Sequence, residues 1–345
     1  MSGLRIGSLC SGYGGLDMAV QAVFGGSLAW VADNDAGACR ILAHHHPHVP
    51  NLGDITAAPW AEVEPVDIAT GGYPCQPFSS AGKRKGTADE RHIWPDIARA
   101  LGVLRPRLAV FENVAGHLSL GFDSVLSDLA ALGFDARWCT LRASDVGAAH
   151  QRKRLFVLAW PADSGSTGLE GRRAARAASD SRHLAPADPL DLGEHRSRTR
   201  GTGRDEPAPR RLAAAHPARV GRLERRRLPH GSDGPAGAVR QGEPARDGGE
   251  RVPDRGAGWG EYAEAIARWE TVLQRPAPGP VDAMGRLSPT FVEWLMGLPA
   301  GHVTTVPGLS RSAQLKALGN GVVPQQATAA LHFLTPAALP ARTAA

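Results

Sequence analysis

Between residues 4 and 160 short apolar runs alternate with amphipathic segments of helix length, and this pattern narrows the possible folds more than any other feature. Leu4 to Leu9 and Leu28 to Ala32 read as strands, separated by Gly15 to Phe24, whose apolar residues recur at helical spacing. A helix follows from Ala36 to His44, and strand-length runs return at Val66 to Thr70, Leu108 to Phe111 and Leu155 to Ala159. Ile93 to Leu104 and Phe122 to Leu132 again carry apolar residues at helical spacing. Strands that alternate with helices make βαβ units, because parallel neighbours need a long crossover connection. The chain is therefore predicted to form an α/β domain with a mostly parallel sheet covered on both faces.

Bulk properties add a few bounds. A length of 345 residues allows one large domain plus a smaller one, and 42% hydrophobic residues suffice for a real core. The formal charge of +5 suits a polyanionic partner such as nucleic acid, or simply a basic soluble protein. Cys10, Cys39, Cys75 and Cys139 show no metal-type pairing, which points to a reducing compartment. No basic-then-apolar signal pattern opens the sequence, and no apolar run approaches the roughly 20 residues that span a bilayer. The expectation is a cytoplasmic protein with no membrane partner.

From about Pro161 to Gly258 the character changes. Gly, Pro, Ala and Arg dominate, aromatic residues are absent, and the stretch reads as a loosely built or partly disordered insert. Order returns with Tyr262, Ile266, Trp269 and Val272 at helical spacing. Ser288 before Pro289 reads as an N-capped helix running to Leu298, and Ala327 to Leu334 as a last helix.

Two groups of residues suggest chemistry. Ser11-Gly12-Tyr13-Gly14-Gly15 follows the first strand and opens the first helix, where glycines let backbone amides approach a ligand. Asp33 ends the second strand, where folds of this kind bind ribose hydroxyls, and Asp54 sits in a later loop. Together they favour an adenosine-containing cofactor over solvated loop acids. Cys75 follows a strand and a Gly71-Gly72 break, at the carboxyl end of the strand, where ligands of such sheets bind. It is either an activated thiol or a small buried hydrophobe. Glu112 closes another apolar strand as a candidate proton donor, and Arg152 and Arg154 precede a buried one, either to grip an acceptor or as a charged hairpin edge. His44-His45-His46-Pro47-His48 reads as a solvated turn, and no metal is assigned.

These pieces, in this order, resemble the cytosine-5 DNA methyltransferases of bacteria and phages. The matching segments are Ser8 to Gly15, Pro74-Cys75-Gln76, Glu112-Asn113-Val114, the Arg152/Arg154 segment, Arg286 to Pro299 and Leu318 to Pro324. The resemblance implies a Rossmann-like methyltransferase domain using S-adenosyl-L-methionine, built from 1–160 and completed by 311–336. A smaller, irregular target-recognition domain would occupy 161–310. It implies Cys75 as nucleophile, Glu112 as proton donor, and Arg152 and Arg154 as groups orienting the base. It puts Ser11, Gly12, Tyr13, Gly14 and Gly15 around the methionine moiety, Asp33 on the ribose, and Asn34, Asp54 and Ile55 by the adenine. Pro74, Asn320 and Val322 complete the cofactor site. Ser79 to Glu90 corresponds to a loop that closes on DNA. Double-stranded DNA is the implied partner of a monomeric enzyme, with a separate cognate restriction endonuclease in a restriction–modification pair. An RNA cytosine-5 methyltransferase or an inactive DNA-binding relative would share the motifs. Three positions depart from the family pattern: Cys10 stands where phenylalanine is usual, His150 where glutamine is common, and Asn34 where an apolar residue is frequent.

Overall fold

The computed structural model describes residues 3–74, 93–162, 192–195 and 259–336. The predicted loop Ser79 to Glu90 and nearly all of the 161–258 stretch lie outside them. The first strands and helices alternate as expected: β1 (Arg5–Leu9), α1 (Gly15–Phe24), β2 (Ser27–Ala32), α2 (Ala36–His45), β3 (Ile68–Gly71), α3 (Trp94–Leu104) and β4 (Leu108–Val114). Then come α4 (Phe122–Ala131), β5 (Phe134–Leu141), β6 (Arg154–Pro161) and β7 (Leu192–His195).

Among the described residues seven strands form one sheet, ordered β2-β1-β3-β4-β6-β5-β7. The pairs β1–β2, β1–β3 and β3–β4 are parallel. β6 runs antiparallel to both β4 and β5, and β7 antiparallel to β5. The expected sheet is thus parallel in its first half only. The connection from β5 to β6 holds one 3-10 turn, Ala143–Val146. That is too little chain for a helical crossover, so β6 reverses and slots beside β4.

Strand periodicity sorts side chains onto two faces. On β6, Leu155, Val157 and Ala159 join the layer containing α3 and α4, with Trp94, Ile97, Phe111 and Leu129. Phe156 and Leu158 face the opposite layer, with Leu16 and Val20 of α1 and Leu331 and Leu334 of α8 (Pro324–Leu334). A third cluster joins α5 (Ala263–Leu273) and α6 (Pro289–Leu295) to the first segment, packing Trp269, Phe291 and Trp294 with Tyr13, Ile41 and Val323. Residues 259–310 are therefore built into the same hydrophobic framework. Ser288 sits at the N-cap of α6 but its side chain caps nothing; its hydroxyl lies 2.6 Å from Thr290 Oγ1. The helix stops at Leu295, before the expected Leu298, because Gly297 adopts a left-handed φ of 70°.

This topology creates a place for a ligand. The chain steps from β1 out to β2, then returns to the other side of β1 for β3. Between β1 and β3 the connections leave in opposite directions, opening a crevice at the carboxyl ends of the strands.

Candidate active site

That crevice is a cleft of about 420 Å³. Its walls are the turn after β1, the ends of β2, β3 and β4, and α7 (Arg311–Asn320) with the residues that follow it. Ser11, Gly12 and Gly15 line it, as do Asp33, Asn34, Asp54 and Ile55. Pro74, Glu112, Arg154, Asn320 and Val322 complete the set of lining residues expected from the sequence. Tyr13, Gly14 and Arg152 do not line it, and Cys75 lies outside the described residues.

The turn after β1 is rigid. Gly14 N–H donates to the Ser11 carbonyl at 2.9 Å, and Gly12 N–H donates to Asp33 Oδ2 at 2.8 Å. Asp33 Oδ1 accepts from Asp35 N–H at 2.9 Å. Burial raises the Asp33 pKa, and the two backbone donors oppose that rise. Asp54 is exposed and accepts from the Thr56 amide and hydroxyl at 2.9 and 2.8 Å, bonds that lower its pKa. Cys10 also lines the cleft, in a left-handed conformation with φ of 50°. Burial first, then the charges of Asp33 and Asp54, push its thiol up to about 12, which disfavours the thiolate at neutral pH.

Tyr13 is 2% exposed and works as a fastener. Its hydroxyl donates to the Val322 carbonyl at 2.7 Å, and its own carbonyl lies 2.8 Å from His302 Nε2. Two glycines make this closeness possible: a Cβ on Gly321 would sit 1.8 Å from the Tyr13 ring, and one on Gly15 2.3 Å from the Val322 carbonyl oxygen. The last segment is thereby pressed onto the cofactor-side turn.

At the other end of the cleft, Glu112 Oε1 pairs with Arg154 Nε at 2.9 Å. Strand pairing explains the meeting, since β4 and β6 run side by side with Val114 opposite Arg154. Glu112 is 7% exposed. Burial raises its pKa, against the lowering influence of Arg154 and Arg152. Arg152 turns the other way, donating to the carbonyls of Gly319 at 3.0 Å and Gly321 at 2.6 Å. A Cβ at Gly72 would lie 3.9 Å from Glu112 Oε2 and 3.8 Å from Val322 Cγ2, so the chain leading to Pro74 passes close to both. Tyr73 anchors that approach: Asn113 Nδ2 donates to its carbonyl at 3.4 Å, and its hydroxyl lies 2.9 Å from His117 Nε2.

Several residues here escape the sequence reading. Asp17 lines the cleft, 3% exposed, and accepts from Ser8 at 2.8 Å and Thr70 at 2.5 Å. Lys316 at the rim bonds Asp35 at 2.5 Å. His150 faces the Leu295 carbonyl at 2.9 Å, tying its loop to α6. His45 is not in a solvated turn but stacks on His302, with centroids 4.1 Å apart.

Comparison with known proteins bears on this site. The family model described as C-5 cytosine-specific DNA methylase matches residues 4–185, more than half of the chain. The type II methyltransferase M.HgiCII of Herpetosiphon aurantiacus is 32% identical over 46% of this chain and 37% of its own length. The type II methyltransferase M.NgoMIV of Neisseria gonorrhoeae is 30% identical over 44% of this chain and 50% of its own. A DNA N-6-adenine-methyltransferase of Escherichia phage P1 is 37% identical over 39% of this chain and 20% of its own. The chain thus spans half or less of the length of these relatives. With the family model covering the glycine turn, Pro74, Glu112 and Arg154 in one run, the chain belongs to the C-5 cytosine-specific DNA methylase family.

Proposed function

We propose that this chain is a DNA cytosine-5 methyltransferase that takes its methyl group from S-adenosyl-L-methionine and acts on a cytosine flipped out of duplex DNA. The observation that carries the reading is the Glu112–Arg154 pair at 2.9 Å, a buried carboxyl and a half-buried guanidinium in the same cleft as the glycine turn and Asp33.

The cleft suits the cofactor. Its volume of about 420 Å³ falls within the range of roughly 300–1,000 Å³ usual for small-molecule sites. Asp33, Asp54 and Asp17 give it an acidic lining that matches a molecule carrying ribose hydroxyls, amines and a sulfonium. When bound, that group supplies an electrophilic methyl. Gly12, Gly15, Asn320 and Val322 would hold the methionine end, and Asp33, Asn34, Asp54 and Ile55 the nucleoside.

Carbon 5 of cytosine is a weak nucleophile until something adds at carbon 6. The thiolate of Cys75, next along the chain from Pro74, would form that carbon–sulfur bond. Glu112, kept protonated to higher pH by its burial, would deliver a proton to N3 and offset the charge that addition creates. Arg154 holds the carboxyl in place for this. After methylation, loss of the carbon-5 proton to a base restores the double bond and expels the thiolate, while N3 returns its proton to the Glu112 carboxylate. The target base must leave the duplex first, at a cost of about a few kcal/mol. The P1 relative bears the name of an adenine enzyme, but methylation of an exocyclic amine has no use for a thiolate beside Pro74. Names of type II methyltransferases among the relatives support a place in restriction–modification, and the net charge of +5 supports a nucleic-acid partner.

Bisulfite sequencing of DNA from cells expressing the chain tests this directly. Converted-resistant cytosines in one sequence context are expected with the wild type and none with Cys75→Ala. Methylation persisting in that variant overturns the covalent mechanism, and methylated transfer RNA with unmodified DNA would transfer the reading to RNA.

A further inference from the structure

Residues 142–153 connect β5 to β6 and carry Arg152 two positions ahead of Arg154. Inside this connection Ala143 N–H bonds the Gln151 carbonyl at 2.7 Å and Ala148 N–H the Ala143 carbonyl at 3.1 Å. The first bond holds the peptide plane that enters Arg152, and the residue itself adopts a left-handed conformation with φ of 36°. Side chains other than glycine rarely adopt that geometry unless their surroundings impose it.

The peptide that leaves Arg152 is held from α8. Gln326 is fully buried, and its Nε2 donates to the Arg152 carbonyl at 2.9 Å and the Leu141 carbonyl at 2.8 Å. One amide group therefore ties both ends of the β5–β6 connection from 174 and 185 positions away. The tie is reciprocal, because the Arg152 guanidinium donates back to the Gly319 and Gly321 carbonyls. The amide can sit only one way round, since flipping it would set Oε1 against two carbonyl oxygens. In the observed orientation Oε1 is buried without a hydrogen-bond partner among the described residues. A buried acceptor left unpaired is retained at a cost, which implies that the two donated bonds matter.

We propose that Gln326 is a positioning residue for the methyl-transfer reaction: by holding the Arg152 carbonyl it aims β6 so that Arg154 reaches Glu112. This rests on the reading of Glu112 and Arg154 as reaction machinery. Gln326 touches neither substrate nor cofactor; it acts through the backbone.

The test compares the wild-type chain, E112Q, Q326M and Q326E in steady-state methyl transfer to DNA across pH, with thermal midpoints recorded alongside. Q326M keeps the shape and loses both bonds, and kcat is expected to fall about 10²-fold while KM for the cofactor changes less than about threefold. Q326E places a carboxyl opposite two carbonyls; protonated it still donates to one of them, and ionised it repels both. Its activity is therefore expected to recover toward acid pH, displacing its profile from that of the wild type. A purely structural role would lower the thermal midpoints and leave kcat per folded molecule and both pH profiles unchanged, and that result overturns the proposal. E112Q separates the two levels. If the wild type is active and E112Q is not, the catalytic reading stands whatever Gln326 does. If E112Q keeps the wild-type rate, that reading falls and the positioning role with it.

Discussion

Replacing Asp17 with asparagine is expected to change how the stability of the fold depends on pH. The carboxyl is 3% exposed beneath the cofactor-side turn, and burial pushes its pKa from 3.8 up to about 6 in spite of the Thr70 and Ser8 hydroxyls. Between those values the native state binds more protons than the unfolded chain, so stability falls as pH rises through about 6. A rise of about two units at 1.36 kcal/mol each amounts to roughly 3 kcal/mol in full. About 2 kcal/mol of it is lost between about pH 4.5 and 7.5. Asparagine preserves the shape, can accept from one hydroxyl and donate to the other, and carries no charge to bury. The D17N variant should therefore gain on the wild type steadily as pH rises. Urea unfolding followed by tryptophan fluorescence at closely spaced pH values measures the difference. If it stays flat to within about 0.5 kcal/mol over that range, the picture of a buried titrating carboxyl is wrong.

Four further substitutions, one of them a control, probe how the cleft is held together. Tyr13→Phe leaves the Val322 carbonyl without its donor and should cost about 1–3 kcal/mol, with weaker binding of S-adenosyl-L-methionine in calorimetric titration. Gly321→Ala drives a methyl into the Tyr13 ring and should cost about 1–3 kcal/mol of stability. Gly319→Ala, with nothing within 4 Å of its new methyl, is the control and should leave the thermal midpoint unchanged or raised. Arg154→Met leaves Glu112 buried and unpaired, with an expected cost of about 3–5 kcal/mol at neutral pH. Because Arg154 lowers the Glu112 pKa, its loss raises that pKa further, and the destabilisation should shrink as acid neutralises the carboxyl. Denaturant titrations at acid and neutral pH would expose a constant cost as the refuting result.

Sequence patterns carry the parallel half of the sheet because buried parallel strands are largely apolar runs, as in Leu28–Ala32 of β2 and Leu108–Phe111 of β4. β5 was missed because Asp135 and Arg137 interrupt it; both lie on a strand that is only partly covered, with Arg137 over the Trp160 ring. α7 was missed for a different reason. Only Leu318 in it is buried, and Ser310 caps it from outside through the Ala313 amide at 3.2 Å. In the cleft, Glu112 and Arg154 were legible because a charged residue at the end of an apolar strand stands out. Asp17 was not, since an acid in a helix's first turn is unremarkable. Its burial depends on Ser8 and Thr70 being register partners on β1 and β3, a fact of pairing rather than of local sequence. Gln326 is invisible for the same reason at longer range. His45 shows the converse, a contact in place of a solvated turn, because its partner His302 is 257 positions away.

The bond from Tyr13 to Val322 joins positions 309 residues apart, and this sets an order of assembly. A chain made from its N-terminus presents β1 to β4 and the glycine turn long before Gly321 and Val322 have been synthesised. Closing so long a loop is an entropic step that local contacts cannot anticipate. Until then the face of Tyr13 that receives Gly321 and the groove at Gly15 that receives the Val322 carbonyl stand open, and the cleft lacks one wall. A nascent chain can thus own its strands and its acidic turn while holding no finished binding site, which comes into being only as α7 and α8 dock.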